Sequence, residues 1–346
     1  MHYRLVFIGF GNVARALARL LLRKRAVLES KHEISFSTTG IATGRHGFAA
    51  NPQGLDLLSA LEAVESGRPV SALSALPVQD SLSVIRASGG DVMFESSPVN
   101  HGTGQPAVEH VRAALELGMQ AITANKGAVV HGYRELSALA ASKGKKFLFE
   151  STVLGGSPLF SVFREAMPAA DLYSFKGIIN ATTNLILTRM ERGESFEQAV
   201  AFCQSIGLAE TDPSADIDGW DAAIKVAALV TVLMDTPFAP QQVERKGIRD
   251  ITPEMIEQAK AKGMRWKLVA SAKRDGDQIR ARVSPELVSP ASALYGIGDS
   301  SSGLTFRTDV LPDYSIIVSE REGMRGGPEE TAYGLFTDFV NAARPR

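Results

Sequence analysis

The sequence predicts an α/β fold: a doubly wound parallel sheet in the first half, then a second, α+β domain. Three observations point to it. The chain has 346 residues, more than one typical core accommodates. Strand-like and helix-like segments alternate from the N-terminus to about Glu150. A glycine-rich turn joins the first strand to the first helix, as the opening unit of such a sheet requires. The expected boundaries are 1–150 for the first domain and 151–305 for the second, with a segment from about 306 to 346 packing back on the first.

Composition narrows the function classes. Apolar residues make up 45% of the chain and charged residues 22%, an ordinary profile for a soluble protein. A formal net charge of −1 argues against nucleic-acid or membrane-surface binding driven by bulk charge. One cysteine, Cys203, excludes an internal disulfide and a cysteine-rich metal site, and fits a cytoplasmic protein. No apolar run is long enough to span a bilayer. The N-terminus enters a strand directly, without signal-peptide architecture.

The first strand is the buried run Leu5 to Ile8, and Leu17, Leu20 and Leu21 mark the helix that follows. The turn between them reads Gly9-Phe10-Gly11-Asn12-Val13-Ala14, a G-x-G-x-x-A form of the Rossmann-like dinucleotide fingerprint. Gly9 makes the tight turn, and Gly11 lets the amides of Asn12 and Val13 approach a pyrophosphate. Ala14 is small enough for the helix to lie against the strand. The helix N-terminus adds partial positive charge. The next strand is expected over Phe36 to Thr43. An NAD site calls for an acid after it, to bind the ribose 2′-hydroxyl. Arg45 and His46 stand there instead. A guanidinium suits a 2′-phosphate, so NADP is expected, with NAD as the alternative; the simpler reading is a solvated loop arginine. The strand-like runs "DVMFES" and "QAITAN" flank a helix "AVEHVRAALELG". A further helix is expected over Gly132 to Ser142 and a strand over "KKFLFEST". Ligands bind at the carboxyl ends of such strands, where Ser96, Ser97 and Asn100 follow one and Asn125 and Lys126 another; Lys126 is thus placed to meet a cofactor or substrate, with a surface loop lysine as the simpler reading.

After Glu150 come a glycine-rich hinge, "ESTVLGGSPLF", and a polar turn holding Asn180, Thr182, Thr183 and Asn184. Two helices, Phe196 to Ser205 and Trp220 to about Met234, flank an acid-rich stretch with Glu210, Asp212, Asp216, Asp218 and Asp221. The second helix is apolar on nearly every face, and its interior carries one charge, Lys225. A buried ammonium needs a partner, and Asp221 stands one turn away at i, i+4. A structural ion pair is one reading; a proton donor or substrate anchor is the other. Asp216 or Asp218 is expected to cap this helix. Strand candidates "WKLVASAKR", "QIRARVS", "TFRTDV" and "YSIIVSE" and a last helix, "EETAYGLFTDFVNAA", complete the chain.

The segments "GFGNV", "ANKGAVV", "ESTVLGGSP", "GIINATTNLILTRM", "GLAETDPSADIDGWDAAIKVAAL" and "TDVL…GGPEETAYGL", in this order, make the chain similar to homoserine dehydrogenases along nearly its full length. The resemblance implies a reversible interconversion of L-homoserine and L-aspartate 4-semialdehyde with NAD(P), on the route to threonine and methionine. By position, Lys126 and Lys225 resemble the catalytic lysines, with Asp216 beside them. Glu210 resembles the carboxylate for the substrate's amino group, and Asp221 would orient or charge-balance Lys225. Thr182 and Asn184 would help shape the substrate pocket. Ser97 and Gly327 match positions near the nicotinamide. Glu150, with the backbone carbonyls of Val153, Gly155 and Ser157, resembles the ligand set of a monovalent cation, usually sodium. The resemblance also implies a homodimer formed through the second domain.

Gly323-Met324-Arg325-Gly326-Gly327 departs from the family's usual glycine-rich loop, which puts nicotinamide packing there in question. The chain ends at Arg346, so no threonine feedback through an appended domain is expected. Two other readings stay open: a related dehydrogenase acting on another small amino-acid aldehyde or hydroxy acid, and a non-catalytic dinucleotide-binding regulator.

Overall fold

The structure, a computed structural model, describes residues 1–319 and 327–344. It divides into two units, residues 1–158 with 328–346, and residues 159–327.

In the first unit the strands are β1 (His2–Ile8), β2 (Ser35–Ala42), β3 (Phe48–Leu55), β4 (Val92–Glu95), β5 (Gln120–Thr123) and β6 (Phe147–Leu148). They form one sheet in the order β3-β2-β1-β4-β5-β6. All neighbours run parallel except β3, which returns antiparallel along β2. Leu5 to Ile8 of the central β1 are fully buried, as a strand covered on both faces must be. The helices are α1 (Asn12–His32), α2 (Leu57–Glu65), α3 (Ser81–Ala87), α4 (Ala107–Glu116) and α5 (Lys126–Ser142). A C-terminal helix, Pro328–Ala343, also belongs to this unit. Its Leu335 and Phe339 join Leu17 and Leu21 of α1 and Leu5 and Phe7 of β1 in one core.

The second unit holds a mixed sheet of β7 (Leu172–Ile178), β8 (Glu244–Arg245), β9 (Arg265–Asp275), β10 (Gln278–Val288), β11 (Ser302–Thr308) and β12 (Tyr314–Val318). The order is β12-β11-β7-β9-β10-β8, antiparallel except between β10 and β8. Its helices are α6 (Ala181–Glu191), α7 (Phe196–Ser205), α8 (Ser214–Ile217), α9 (Trp220–Leu233) and α10 (Pro253–Ala261). Ala222 to Ile224 and Val226 to Val230 of α9 are all buried. That leaves Lys225 in an apolar frame.

Several expectations are corrected. Residues 306–318, expected to pack on the first domain, extend the second unit's sheet, because β11 pairs with β7 and β12 pairs with β11. Helix α5 starts at Lys126, six residues before the expected Gly132, because Asn125 caps it by accepting from Gly127 N. Neither Asp216 nor Asp218 caps α9. Its cap residue is Gly219, in the left-handed region at φ 80°, with no side-chain cap bond. Residues Gly323 to Gly326, and with them Arg325, lie outside the described residues. Among the described residues, no helix is long and apolar enough to cross a membrane.

Candidate active site

The strand order turns at β1, so the crevice of the first sheet opens between the carboxyl ends of β1 and β4. Gly9 closes β1 at φ +84°, where only glycine is comfortable. A Cβ on Gly9 would stand 2.5 Å from the backbone carbon and oxygen of Ser96, just past β4. Gly11 differs: nothing in the protein lies within 4 Å of where its Cβ would be. The backbone there is open to an outside ligand. Asn12 and Val13 open α1, and Ala14 is buried against the strand. The first turn of α1 carries no acid, so the partial positive charge of its amides is uncancelled. Arg15, which the sequence reading passed over, donates from Nη2 to Asn12 Oδ1 at 2.7 Å. A cation one turn into the fingerprint helix was the available signal. Arg45 is exposed in the β2–β3 hairpin loop, where His46 N donates to Thr43 Oγ1 at 2.6 Å.

Ser97 follows β4 and donates from its backbone N to Glu95 Oε1 at 3.2 Å. Lys126 occupies the first turn of α5, after the Asn125 cap. Glu150, expected to bind a cation, is 1% exposed, and its N donates to Asp338 Oδ2 of the C-terminal helix at 2.8 Å. The chain from Val153 to Ser157 leaves regular structure, with Gly155 at φ 58°; the carbonyl of Leu154 accepts from Ser157 N. A buried carboxylate beside irregular backbone is a hard-oxygen donor set of the kind that suits an alkali or alkaline-earth cation. Gly327 begins the described C-terminal segment at φ 141°.

In the second unit, helix starts gather the charged groups. Asn180 caps α6 through Oδ1, which accepts from Thr183 N at 2.8 Å. Its Nδ2 donates to Asp216 Oδ1 of α8 at 2.6 Å and to Asp221 Oδ2 of α9 at 3.0 Å. Asp221 Oδ2 also lies 2.7 Å from Lys225 Nζ, the expected i, i+4 pair. Lys225 Nζ donates in addition to the carbonyl of Ile179 at 2.8 Å. Two of the three ammonium N–H groups thus have partners among the described residues, and the third is available to an incoming oxygen. Burial, first, and the charge of Asp221, second, raise the Asp216 pKa above its ordinary 3.8; Asn180, Lys225 and Thr182 oppose them. Thr182 is therefore close to this cluster, while its hydroxyl donates to Leu208 O at 3.4 Å.

The other acids face elsewhere. Asp218 pairs with Arg249 at 2.5 Å, and Asp212 accepts from Ser214 N at 3.0 Å in a local turn. Glu210 is exposed, its backbone carbonyl accepting from Gln204 Nε2. Asn184, expected to shape the pocket, is 1% exposed and engaged inside the unit. Its Nδ2 donates to Ser301 O at 3.0 Å, and its Oδ1 accepts from Lys267 Nζ at 2.8 Å. Lys267 is fully buried, and burial pushes its pKa down to about 8. Sequence reasoning missed it, since a lysine in "WKLVASAKR" reads as the polar face of a strand.

The first unit carries a turn that fits a phosphate and the second a carboxylate-held lysine, groups of the kinds that dinucleotide-dependent dehydrogenases use. The comparisons specify which. A family model described as homoserine dehydrogenase matches residues 158–340. An NAD(+)-dependent homoserine dehydrogenase of Pseudomonas canavaninivorans is 33% identical over 342 residues, covering 98% of this chain and 96% of the relative. The homoserine dehydrogenase of Methanocaldococcus jannaschii is also 33% identical, covering 97% of each chain. A putative homoserine dehydrogenase structure from Archaeoglobus fulgidus superposes with a TM-score of 0.85 at 29% identity, covering 98% of both. A hyperthermophilic archaeal homoserine dehydrogenase in complex with NADPH gives 0.81 at 28% identity, covering 99% of this chain and 98% of that one. The chain belongs to the homoserine dehydrogenase family.

Proposed function

We propose that the chain interconverts L-homoserine and L-aspartate 4-semialdehyde, the step its family performs on the way to threonine and methionine, with NADP as the preferred dinucleotide. The observation that carries this is Lys225, held by Asp221 and the Ile179 carbonyl with one N–H left for a substrate oxygen. Of the two classes of relative, one is named NAD(+)-dependent and another was solved with NADPH. Arg45 favours the 2′-phosphate form here.

When bound, the dinucleotide supplies or accepts the hydride. The chain's own groups do the rest. In the reducing direction, Lys225 Nζ gives a proton to the aldehyde oxygen as that oxygen becomes an alkoxide. Asp221 Oδ2 keeps the ammonium in place at 2.7 Å before transfer. Asp216, tied to Asn180, sets the negative field beside it. By resemblance, Lys126 is assigned a second positive charge for the reaction, and Glu210 the substrate's ammonium. Ser97 and Gly327 are assigned to the nicotinamide side, and Gly9, Gly11, Asn12 and Val13 to the pyrophosphate. Glu150, with the carbonyls of Val153, Gly155 and Ser157, would hold a sodium ion that screens the buried carboxylate. Resemblance alone supports a homodimer, which light scattering would test.

The test is dinucleotide reduction by L-homoserine, run with NAD and NADP in parallel. Turnover with L-homoserine, and a fall of about 10³-fold in kcat for Lys225→Ala with the fold intact, are expected. No turnover with either dinucleotide would remove the reaction. Unchanged turnover per folded Lys225→Ala molecule would leave the lysine a structural ion pair.

A further inference from the structure

A second buried charged group lies in the first unit, and the chemistry above does not use it. Glu95, the last residue of β4, is 0% exposed. A carboxylate in so dry a position costs several kcal/mol unless it is fully hydrogen-bonded. Here donors from three directions meet it. Its Oε1 accepts from Ser97 N at 3.2 Å, from the Ser97 hydroxyl, and faces His110 Nδ1 of α4 at 3.4 Å. The Thr123 hydroxyl, at the end of β5, shares its one proton between Glu95 Oε2 at 3.2 Å and the Glu95 backbone carbonyl at 3.1 Å. The buried His110 can donate to the carboxylate from Nδ1 in the tautomer that protonates that nitrogen.

The bonds continue past Glu95 and close a ring. Thr123 Oγ1 accepts from Asn125 N at 2.9 Å. Asn125 Nδ2 donates back to Ser97 O at 3.0 Å, and Asn125 Oδ1 accepts from Gly127 N at 2.9 Å. One side of this ring is the segment carrying Ser97. The other is the start of α5, which carries Lys126. Asn125 and Glu95 both join the two sides, Asn125 through its amide and Glu95 through one carboxylate oxygen to each. A packing role alone would be met by an apolar side chain at lower cost, whereas tying two loops to one point needs several acceptors.

We infer that Glu95, braced by His110, is a positioning residue that fixes the Ser97 segment against the Lys126 end of α5. It thereby sets where the nicotinamide and the Lys126 charge stand. This rests on the roles assigned to Ser97 and Lys126 above. Glutamine keeps the shape and can retain the acceptor side toward Ser97 and His110, while its NH2 faces the Thr123 hydroxyl. Alanine removes both anchors. Thr123→Val cuts the link to Asn125 but leaves Ser97 on Glu95.

The readouts are the NADPH Kd, by fluorescence titration of the full chain, and steady-state kinetics with L-homoserine. Glu95→Ala is expected to weaken NADPH binding about tenfold and lower kcat about 100-fold, as a misplacement of order 1 Å does. Glu95→Gln is expected to recover both to within about threefold, and Thr123→Val to lower kcat about tenfold with little change in Kd. Wild-type values in Glu95→Ala, or equal loss in Glu95→Gln and Glu95→Ala, would overturn the inference. If Glu95→Ala does not fold, Thr123→Val decides: equal kcat to the wild type overturns it. A wild-type chain that binds NADPH without oxidising L-homoserine would remove the assigned reaction, and the Kd comparison would still judge Glu95.

Discussion

Lys225 tolerates its apolar helix because two oxygens meet its ammonium within 2.8 Å, and one of them belongs to an aspartate that Asn180 also holds. The cost of this arrangement falls on Asp216. Its folded-state pKa is raised, first by burial and then by Asp221, so holding it ionised costs the fold stability. The sign follows: stability present below the ordinary value of 3.8 is lost as pH rises through the raised folded-state value. Asp216→Asn should therefore melt at a higher temperature than the wild type at pH 7, with the difference vanishing below about pH 4. The same variant should lose about 100-fold in kcat, a trade of function for stability. Thermal melts across pH, paired with kinetics, check both; a variant that melts lower at pH 7 would contradict the burial argument. Lys267 makes a second case with the opposite charge. Its pKa is lowered from 10.5 to about 8 by burial, so below that pH the charged lysine lowers the stability of the fold by about 3 kcal/mol relative to the unfolded chain. The unfolded chain binds the extra proton between about pH 8 and 10.5, so stability rises with pH across that window. Lys267→Met should flatten this rise, and its melting temperature should exceed the wild type's most below about pH 8. Loss of the bond to Asn184 Oδ1 trims the gain. Equal pH slopes in the two proteins would show that Lys267 does not titrate in this range.

At the level of elements, the proposed preference for NADP rests on the β2–β3 hairpin. Its loop presents Arg45 to solvent at the end of β2, where an acid would serve a ribose hydroxyl. Arg45→Ala should raise the KM for NADP about tenfold and leave that for NAD within about twofold, since one charge-assisted contact is worth roughly 1.5–3 kcal/mol at most. Equal effects on both would show that the arginine does not meet the 2′-phosphate. The hairpin also marks what could be read in advance. Unit β1–turn–α1 was legible because apolar run, glycine spacing and helix period agree. Strand β3, "FAANPQGL", was not, since Asn51, Pro52 and Gly54 read as a turn; pairing with β2 makes it a strand. The start of α5 was hidden by Gly127, which weakens a helix in sequence terms. A Cβ there would come within 2.9 Å of Gly104 Cα, so close packing explains the glycine. At the candidate site, the Asp221–Lys225 pair was legible because i, i+4 spacing is local. The network around Glu95 was not, because its members come from separate elements.

For the molecule as a whole, the chain leaves the first unit at Pro158 and returns to it at Pro328. The sequence identified β11 and β12 as strands, but a strand pattern does not say which sheet it joins; the return point was therefore placed about twenty residues too early, at 306 rather than 328. The true return brings one helix, and that helix is part of the nucleotide unit's core. Leu335 and Phe339 are fully exposed to no solvent, at 0%, and Val340, Ala332, Ala342 and Ala343 are buried with them. Phe339 meets the Phe94 ring at 6.0 Å and the Tyr3 ring at 5.8 Å, both edge-on. Asp338 Oδ2 accepts from Glu150 N, and Tyr3 Oη donates to Ala343 O. At roughly 1.5–3 kcal/mol for each large apolar side chain, Leu335, Phe339 and Val340 together contribute about 5–9 kcal/mol. That is comparable with the roughly 5–15 kcal/mol by which a domain is stable. A chain truncated after residue 327 should therefore lose NADPH binding and the cooperative melt of the nucleotide unit, although every fingerprint residue from Gly9 to Ala14 is retained. Calorimetry with NADPH fluorescence titration would measure both. A truncated chain that binds NADPH with the full-length Kd would mean that the sheet and α1 hold the crevice without the returning helix.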